Sequence, residues 1–179
     1  MKRILNKIDF HLQNKSLINY ALGKVTEIIL KENRKKKLKS LNDIVEVDFV
    51  YKTGYGFLMW INKEKVVERD FYLDDFERDY IALYRKIIKP NDTVLDIGAN
   101  VGLFSLIAAS KYPSVNVVAF EPSDYAFTQL ELNIRLNNLT NIHPQKLLLS
   151  DREEDIPFYT CLDDAYNSLG NRPQVEVLN

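Results

Sequence analysis

The sequence predicts an α/β fold built on a parallel sheet, and three observations predict it. From Thr93 onward, short apolar runs alternate with longer helical patterns: "TVLDIG", "VGLFSLIAASKY", "VNVVAFEP", "SDYAFTQLELNIRLNN" and "HPQKLLLSD". Strands separated by helices of this length need crossover connections, and crossovers make a parallel sheet with a right-handed turn. The apolar runs also end in polar or bare residues, Asp96 to Gly98, Glu121 and Ser150-Asp151, where an open parallel sheet binds its ligands. Finally, 46% of the 179 residues are hydrophobic, enough for one real core on a prior of roughly 150 residues per domain.

Before Thr93 the elements are of another kind. Residues 4–30 place apolar side chains at Ile4, Leu5, Ile8, Leu12, Ile18, Leu22, Val25 and Ile29, close to a helical period, with Gly23 dividing the segment into two helices. The cationic stretch "KENRKKKLKS" follows. Residues 1–40 hold 11 Lys/Arg and 3 Asp/Glu, a net of +8. The remainder holds 13 and 22, a net of −9, and the two sum to the −1 of the whole chain. A basic arm on an acidic body is implied. The lysine-rich residues 31–39 read first as a solvated face, with weak contact to a membrane surface or another acidic partner as the minor reading.

Two strand-like runs, "DIVEVDFVY" (43–51) and "YGFLMWIN" (55–62), joined by Lys52–Gly54, read as a hairpin in which Tyr51, Tyr55 and Trp60 pack. "LDDFERDYIALYRKIIK" (73–89) reads as one amphipathic helix with Phe76, Tyr80, Leu83 and Ile87 on one face, ended by Pro90-Asn91-Asp92. Ser123 is placed to cap the helix after "FEP". After Asp151, "IPFYTCL" (156–162) reads as an edge strand. The organisation expected is thus a basic helical extension over 1–40, a hairpin and helix over 41–90, and a sheet domain over 91–179.

Several functions are excluded or disfavoured. The single cysteine, Cys161, forms no internal disulfide, and no Cys/His cluster offers a metal site. The basic N-terminus never reaches the uninterrupted apolar core of a secretory signal, and "GFLMWI" is far too short to span a bilayer. A cytoplasmic protein is expected. His143 begins the third strand, at the amino end of the sheet, and His11 sits on the first helix without a visible partner. Both read as structural rather than as a general base.

The strand ends carry the chemistry. Gly98 and Gly102 bracket a tight turn, and Asn100 between them is the non-glycine residue that best tolerates left-handed geometry. The helix that follows points free N–H groups at the crevice, which suits a carboxylate or a phosphate. Asp96 faces the same crevice, so it disfavours phosphate and favours a ligand with a positive group. Glu121 lies 19 residues beyond Gly102 and is held extended by Pro122. An ionised carboxylate only accepts, so it matches a ribose diol, and the spacing is the ~20 residues of a dinucleotide-type unit. A carboxylate, a cationic centre and a ribose together describe S-adenosylmethionine. NAD fits worse, because its G-x-G-x-x-G fingerprint needs glycine where Asn100 and Leu103 stand.

Residues 91–170 resemble the FkbM family of S-adenosylmethionine-dependent methyltransferases, with a Rossmann-like class I methyltransferase fold. The resemblance is carried by "NDTVLDIGANVGLFSLIAA", "VVAFEPSDYAFTQLELNIRLN", "LLLSD" and, more loosely, "PFYTCLDDAYNSLGN". It implies that Asp96, Gly98, Asn100 and Gly102 contact the methionine end of the cofactor, that Glu121 binds the ribose and that Asp151 lies near the adenine. It implies O-methylation of a small molecule or saccharide, with no nucleic-acid partner.

No catalytic residue is assigned. In this fold the groups that hold the acceptor usually come from the loop after the fourth strand and beyond. The resemblance leads one to expect an aspartate-rich segment after "PQVEVLN", then the remaining sheet. The expectation is therefore a C-terminally truncated methyltransferase with little activity alone. Two alternatives stand beside it: a non-catalytic cofactor-binding fragment acting through its basic arm, and a nicotinamide-dependent oxidoreductase.

Overall fold

The computed structural model describes residues 2–43, 47–74, 76–151, 160–161 and 177–178, with side chains described for 22–43, 47–74 and 76–151. The chain divides into two compact units, Met1–Ile44 and Val45–Asn179.

The first unit is one helix, α1 (Lys2–Asp43). It runs through Gly23, where the sequence predicted a break. A helical glycine costs only about 1 kcal/mol against alanine, and the turn that follows is reinforced locally. Thr26 Oγ1 donates to the Leu22 carbonyl at 2.8 Å, and Glu27 pairs with Lys31 at 2.9 Å and Lys24 at 3.0 Å. Lys31 and Lys24 hold the Glu27 carboxyl down at about 2.

The second unit opens with an antiparallel hairpin of β1 (Asp48–Lys52) and β2 (Leu58–Asn62), in register from Asp48↔Asn62 to Lys52↔Leu58. The loop is longer than the predicted Lys52–Gly54, because Thr53 organises it: its hydroxyl donates to the Phe57 carbonyl at 2.7 Å and accepts the Tyr55 and Phe57 N–H groups. Met59 and Ile61 of β2 are fully buried. A short helix that the sequence reading missed, α2 (Val66–Tyr72), packs Val67, Phe71 and Tyr72 inward.

The next helix, α3 (Arg78–Ile87), is shorter than the predicted 73–89, since Asp74 and Glu77 adopt left-handed φ of 61° and 41°. Its predicted face is also corrected. Ile81 is the buried residue, whereas Tyr80, Leu83 and Ile87 are 69%, 57% and 59% exposed. Periodicity marks an apolar stripe but not what covers it, and here α3 meets the next helix through an edge-on Tyr84–Phe104 contact, ring centroids 5.2 Å apart.

The parallel sheet is as predicted. Strands β3 (Thr93–Ile97), β4 (Asn116–Phe120) and β5 (Ile142–Gln145) lie in the order β3-β4-β5. Helices α4 (Leu103–Lys111) and α5 (Asp124–Leu136) make the crossovers, burying Leu106, Leu130, Val117 and Ala119 completely. Two details differ from expectation. The third strand ends at Gln145, because Leu147 N–H turns back onto the Gln145 carbonyl at 2.9 Å and takes "LLLS" out of the ladder. And β3 is covered on one face only: Leu95 and Ile97 are 62% and 63% exposed.

Ser123 stands at the N-cap of α5 without a side-chain cap bond. Thr160–Cys161 pairs antiparallel with Val177–Leu178 as β6 and β7. The rest of the predicted edge strand 156–162 lies outside the described residues. Among the described residues no helix is long and apolar enough to cross a membrane.

Candidate functional site

The chain leaves β3 at Ile97 and re-enters a helix at Leu103. Three of the five intervening residues have positive φ: Gly98 at 77°, Asn100 at 49° and Gly102 at 90°. The two glycines are needed for different reasons. Around Gly98 the space is open, so only the backbone angle demands glycine. At Gly102 a Cβ would also lie 2.4 Å from Leu130 Cδ1.

The loop's backbone is almost fully engaged. The N–H groups of Gly98 and Ala99 both donate to the Phe120 carbonyl at 2.9 Å, and Gly102 N–H donates to Ala99 at 2.8 Å. Asn100 N–H donates to Glu121 Oε2 at 2.8 Å, and Val101 N–H to Asn100 Oδ1 at 2.8 Å. The Val101 carbonyl accepts from Asn133 Nδ2 at 3.0 Å.

Asp96 answers why a carboxylate ends an apolar strand. It is half-buried and its Oδ2 accepts the Ser105 hydroxyl at 2.5 Å. The Ser105 backbone N–H bonds to it as well. Ser105 is the third residue of α4, so Asp96 supplies the capping oxygen that the N-cap residue Gly102 lacks. Burial pushes the Asp96 carboxyl above its usual range, and the Ser105 bonds offset only part of this. Burial first, and then the Asp96 charge, push the Tyr84 phenol up as well. Its hydroxyl is buried and finds no hydrogen-bond partner among the described residues.

Glu121 is 5% exposed. Its second carboxylate oxygen, Oε1, accepts Ser123 N–H at 2.8 Å, so the side chain ties the loop after β3 to the turn after β4. A carboxylate offers about four acceptor positions, which leaves capacity for ligand hydroxyls. A cavity of about 280 Å3 opens over the loop, lined by Phe76 and Glu77 on one side and Gly98, Asn100, Leu103 and Phe104 on the other. A mainly apolar cavity of about 290 Å3 shares Glu77 and Phe104 with it and reaches Tyr84.

Five of the six predicted site residues, Asp96, Gly98, Asn100, Gly102 and Glu121, therefore converge. Asp151, the sixth, is exposed in a bend past β5. His143 bonds to Asn116 Oδ1 at 2.8 Å, at the start of β4 and away from the loop, as expected. Among the described residues no cluster of His, Cys, Asp and Glu could hold a metal ion. Sequence reasoning missed Ser105, Glu77 and Asn133. Asn133 had a signal, a polar residue in register with the buried Ala126, Leu130 and Ile134 of α5.

Residues 50–155 match the family model of the TRM5/TYW2 methyltransferase domain. The chain belongs to this family. The TRM5/TYW2 match begins in β1 and runs past β5, so it takes in the hairpin, the glycine loop and all three parallel strands.

Among curated relatives, the AMB antimetabolite synthetase AmbE of Pseudomonas aeruginosa is 37% identical over 101 residues, 55% of this chain and 4% of that protein. The 31-O-demethyl-FK506 methyltransferase FkbM of Streptomyces tacrolimicus is 46% identical over 46 residues, 26% of this chain and 18% of that one. The ribosomal protein L11 methyltransferase of Lactobacillus acidophilus is 42% identical over 69 residues, covering 38% and 21%. The chain thus spans between 4% and 21% of the length of these three relatives. Among solved structures, M. jannaschii TYW2 in complex with AdoMet aligns with a TM-score of 0.46 at 28% identity, over 59% of this chain and 44% of that one. The matches reach several kinds of methyltransferase and do not single out the FkbM family.

Proposed function

We propose that this chain is the S-adenosylmethionine-binding part of a methyltransferase, with the cofactor lying across the carboxyl ends of β3 and β4. The observation that carries the reading is the pair Asp96 and Glu121. They end adjacent parallel strands, with Ile97 beside Phe120 in register; Glu121 accepts from the positive-φ loop and Asp96 from the first turn of the helix that follows it.

The donor set suits the cofactor. The first N–H groups of α4 suit the methionine carboxylate, alongside Gly98, Asn100 and Gly102. Asp96, whose charge burial disfavours, gains from a nearby cation. The remaining acceptor capacity of Glu121 suits the ribose diol, and the family resemblance assigns Asp151 to the adenine. The bound cofactor would supply an electrophilic methyl group on sulfur. The chain's own residues orient it and shield it from water, with the apolar neighbouring cavity adding to the shielding.

For the acceptor, the 46% identity with FkbM over 46 residues supports O-methylation of a small molecule or saccharide. A second reading, a nucleic-acid acceptor, is supported by the longer TRM5/TYW2 match and by the net +8 of residues 1–40, since a polyanion binds through such charge. The cytoplasmic setting expected from the sequence accords with either.

Calorimetric titration with S-adenosylmethionine, its demethylated product and NAD tests the cofactor. Binding of the first two in preference to NAD is expected, and tight NAD binding without S-adenosylmethionine binding sinks the proposal. Methyl transfer from labelled cofactor separates an enzyme from a fragment that only binds. Steep salt dependence of RNA binding would favour the nucleic-acid acceptor.

A further inference from the structure

Asn133 in α5 and Asn137 at its C-cap lie one turn apart, and both side chains serve the backbone of other elements. Asn137 pairs with Leu58 twice: its Oδ1 accepts the Leu58 N–H and its Nδ2 donates to the Leu58 carbonyl, each at 2.7 Å. The helix thereby pairs with β2 as a neighbouring strand would. Asn133 does something different. Its Oδ1 accepts Trp60 N–H at 2.8 Å, and its Nδ2 donates to the Val101 carbonyl at 3.0 Å. One fully buried amide joins the hairpin to the glycine loop.

The carbonyl it holds is a consequential one. Val101 lies between Asn100 and Gly102, both in left-handed geometry. The peptide unit is planar, so fixing the Val101 carbonyl fixes the Gly102 N–H, which in turn closes the loop on Ala99 at 2.8 Å. That plane sets the direction in which the first turn of α4 presents its N–H groups. A buried carbonyl without a partner is disfavoured, and Asn133 is the side chain that partners it.

We infer that Asn133 is a positioning residue for the cofactor loop, locking the Val101–Gly102 peptide and making β2 and the loop order together. Its functional half rests on the cofactor reading above; its structural half does not.

The test uses the full chain and three variants. Asn133→Asp keeps the acceptor for Trp60 N–H but faces the Val101 carbonyl with a second oxygen. Asn133→Ser removes reach to both partners without adding charge. Asn137→Leu removes the hairpin contacts and the 2.8 Å bond to the Asn133 carbonyl, and leaves both Asn133 side-chain bonds in place. Amide hydrogen exchange is followed in 99–105 and in 58–62, together with S-adenosylmethionine affinity. In Asn133→Asp, exchange at Gly102 to Ser105 should rise at least tenfold while Trp60 stays protected, and the dissociation constant should rise at least tenfold. Asn133→Ser should expose both Trp60 and the loop. Asn137→Leu should expose Leu58 and leave the dissociation constant within twofold.

Wild-type loop exchange in Asn133→Asp overturns the inference. So does a uniform rise across β3 to β5, or an equal loss of affinity in Asn137→Leu, because either outcome means general destabilisation. If the unaltered chain does not bind S-adenosylmethionine, the cofactor reading fails, and loop exchange alone still decides the coupling.

Discussion

The backbone N–H of Asn100 donates to Glu121 Oε2 at 2.8 Å, so the acid that ends β4 holds the loop that follows β3. With Ser123 N–H on its other oxygen, Glu121 has structural work to do before any ligand arrives. From the sequence alone, Glu121→Ala should weaken cofactor binding and spare the fold. The structure revises the second half. Glu121 is 5% exposed, and an unsatisfied buried donor costs about 1–3 kcal/mol. Glu121→Ala should therefore lower unfolding stability by on the order of 2 kcal/mol or more, and weaken S-adenosylmethionine binding about tenfold or more, from charged hydrogen bonds worth roughly 1.5–3 kcal/mol. Denaturant unfolding and calorimetry measure the two effects separately. An unchanged dissociation constant would show that Glu121 is not the ribose ligand, and unchanged unfolding that the clamp contributes no energy.

Asp96 should confer a pH dependence of a definite sign. Burial raises its carboxyl in the folded chain, so the folded state holds the proton more tightly than the unfolded one. Its contribution to stability is full below the ordinary aspartate value and is lost as pH rises through the raised folded one. Asp96→Asn keeps an acceptor for Ser105 and removes the charge. It should flatten that dependence and leave the chain at least as stable near neutrality. Cofactor affinity should move the other way. A cationic ligand favours the ionised carboxylate, so wild-type affinity should fall on acidification at a pH above the usual aspartate range, and Asp96→Asn should bind weakly at every pH. Thermal midpoints and dissociation constants across pH check both. A wild-type affinity that stays constant while the carboxyl titrates would remove Asp96 from the site.

The two loop glycines should respond unequally to alanine. Left-handed geometry costs an L-residue about 1–2 kcal/mol, and Gly98→Ala should lose about that, since its surroundings are open. Gly102→Ala adds the 2.4 Å approach to Leu130 Cδ1, and Leu130 is fully buried, so overpacking should add about 1–3 kcal/mol. Leu130→Ala in the same chain should recover part of that addition as a non-additive coupling. Equal losses at the two positions would show that Leu130 moves aside freely.

The strand ends were legible because their chemistry is local. Asp96, Gly98, Asn100, Gly102 and Glu121 converge, as five consecutive or spaced residues read with the βαβ rule say they should. What stayed hidden depends on partners distant in sequence. Tyr80, Leu83 and Ile87 have the period of a buried stripe, yet Ile81 is the residue that is covered. Seven-residue α2 is too short for its period to stand out. "LLLS" reads as strand until Leu147 turns back on Gln145. Asn133 looks like a helix polar residue, and only the arrival of Trp60 and Val101 from 73 and 32 positions away gives it a role.

The last prediction concerns the surfaces left open. Leu95 and Ile97 project from the face of β3 opposite Asp96 and are 62% and 63% exposed. Tyr80, Leu83 and Ile87 add a second apolar stripe on α3. Among the described residues β3 pairs only with β4, and no described strand lies along its other edge. An open strand edge beside exposed apolar side chains is a template for association between chains. The 179-residue chain should therefore self-associate as protein concentration rises. Leu95→Lys with Leu83→Lys should shift it towards monomer in sedimentation velocity. Leu95 lines neither cavity, so Leu95→Lys alone should keep cofactor affinity, whereas Leu83 lines the apolar cavity beside the loop. The same open face predicts little methyl transfer by the isolated chain, because a doubly wound sheet shapes its crevice with strands on both sides of the switch point. A wild-type chain that stays monomeric at high concentration and transfers methyl groups robustly would defeat this prediction. It would mean that the residues around β3 already enclose a working site.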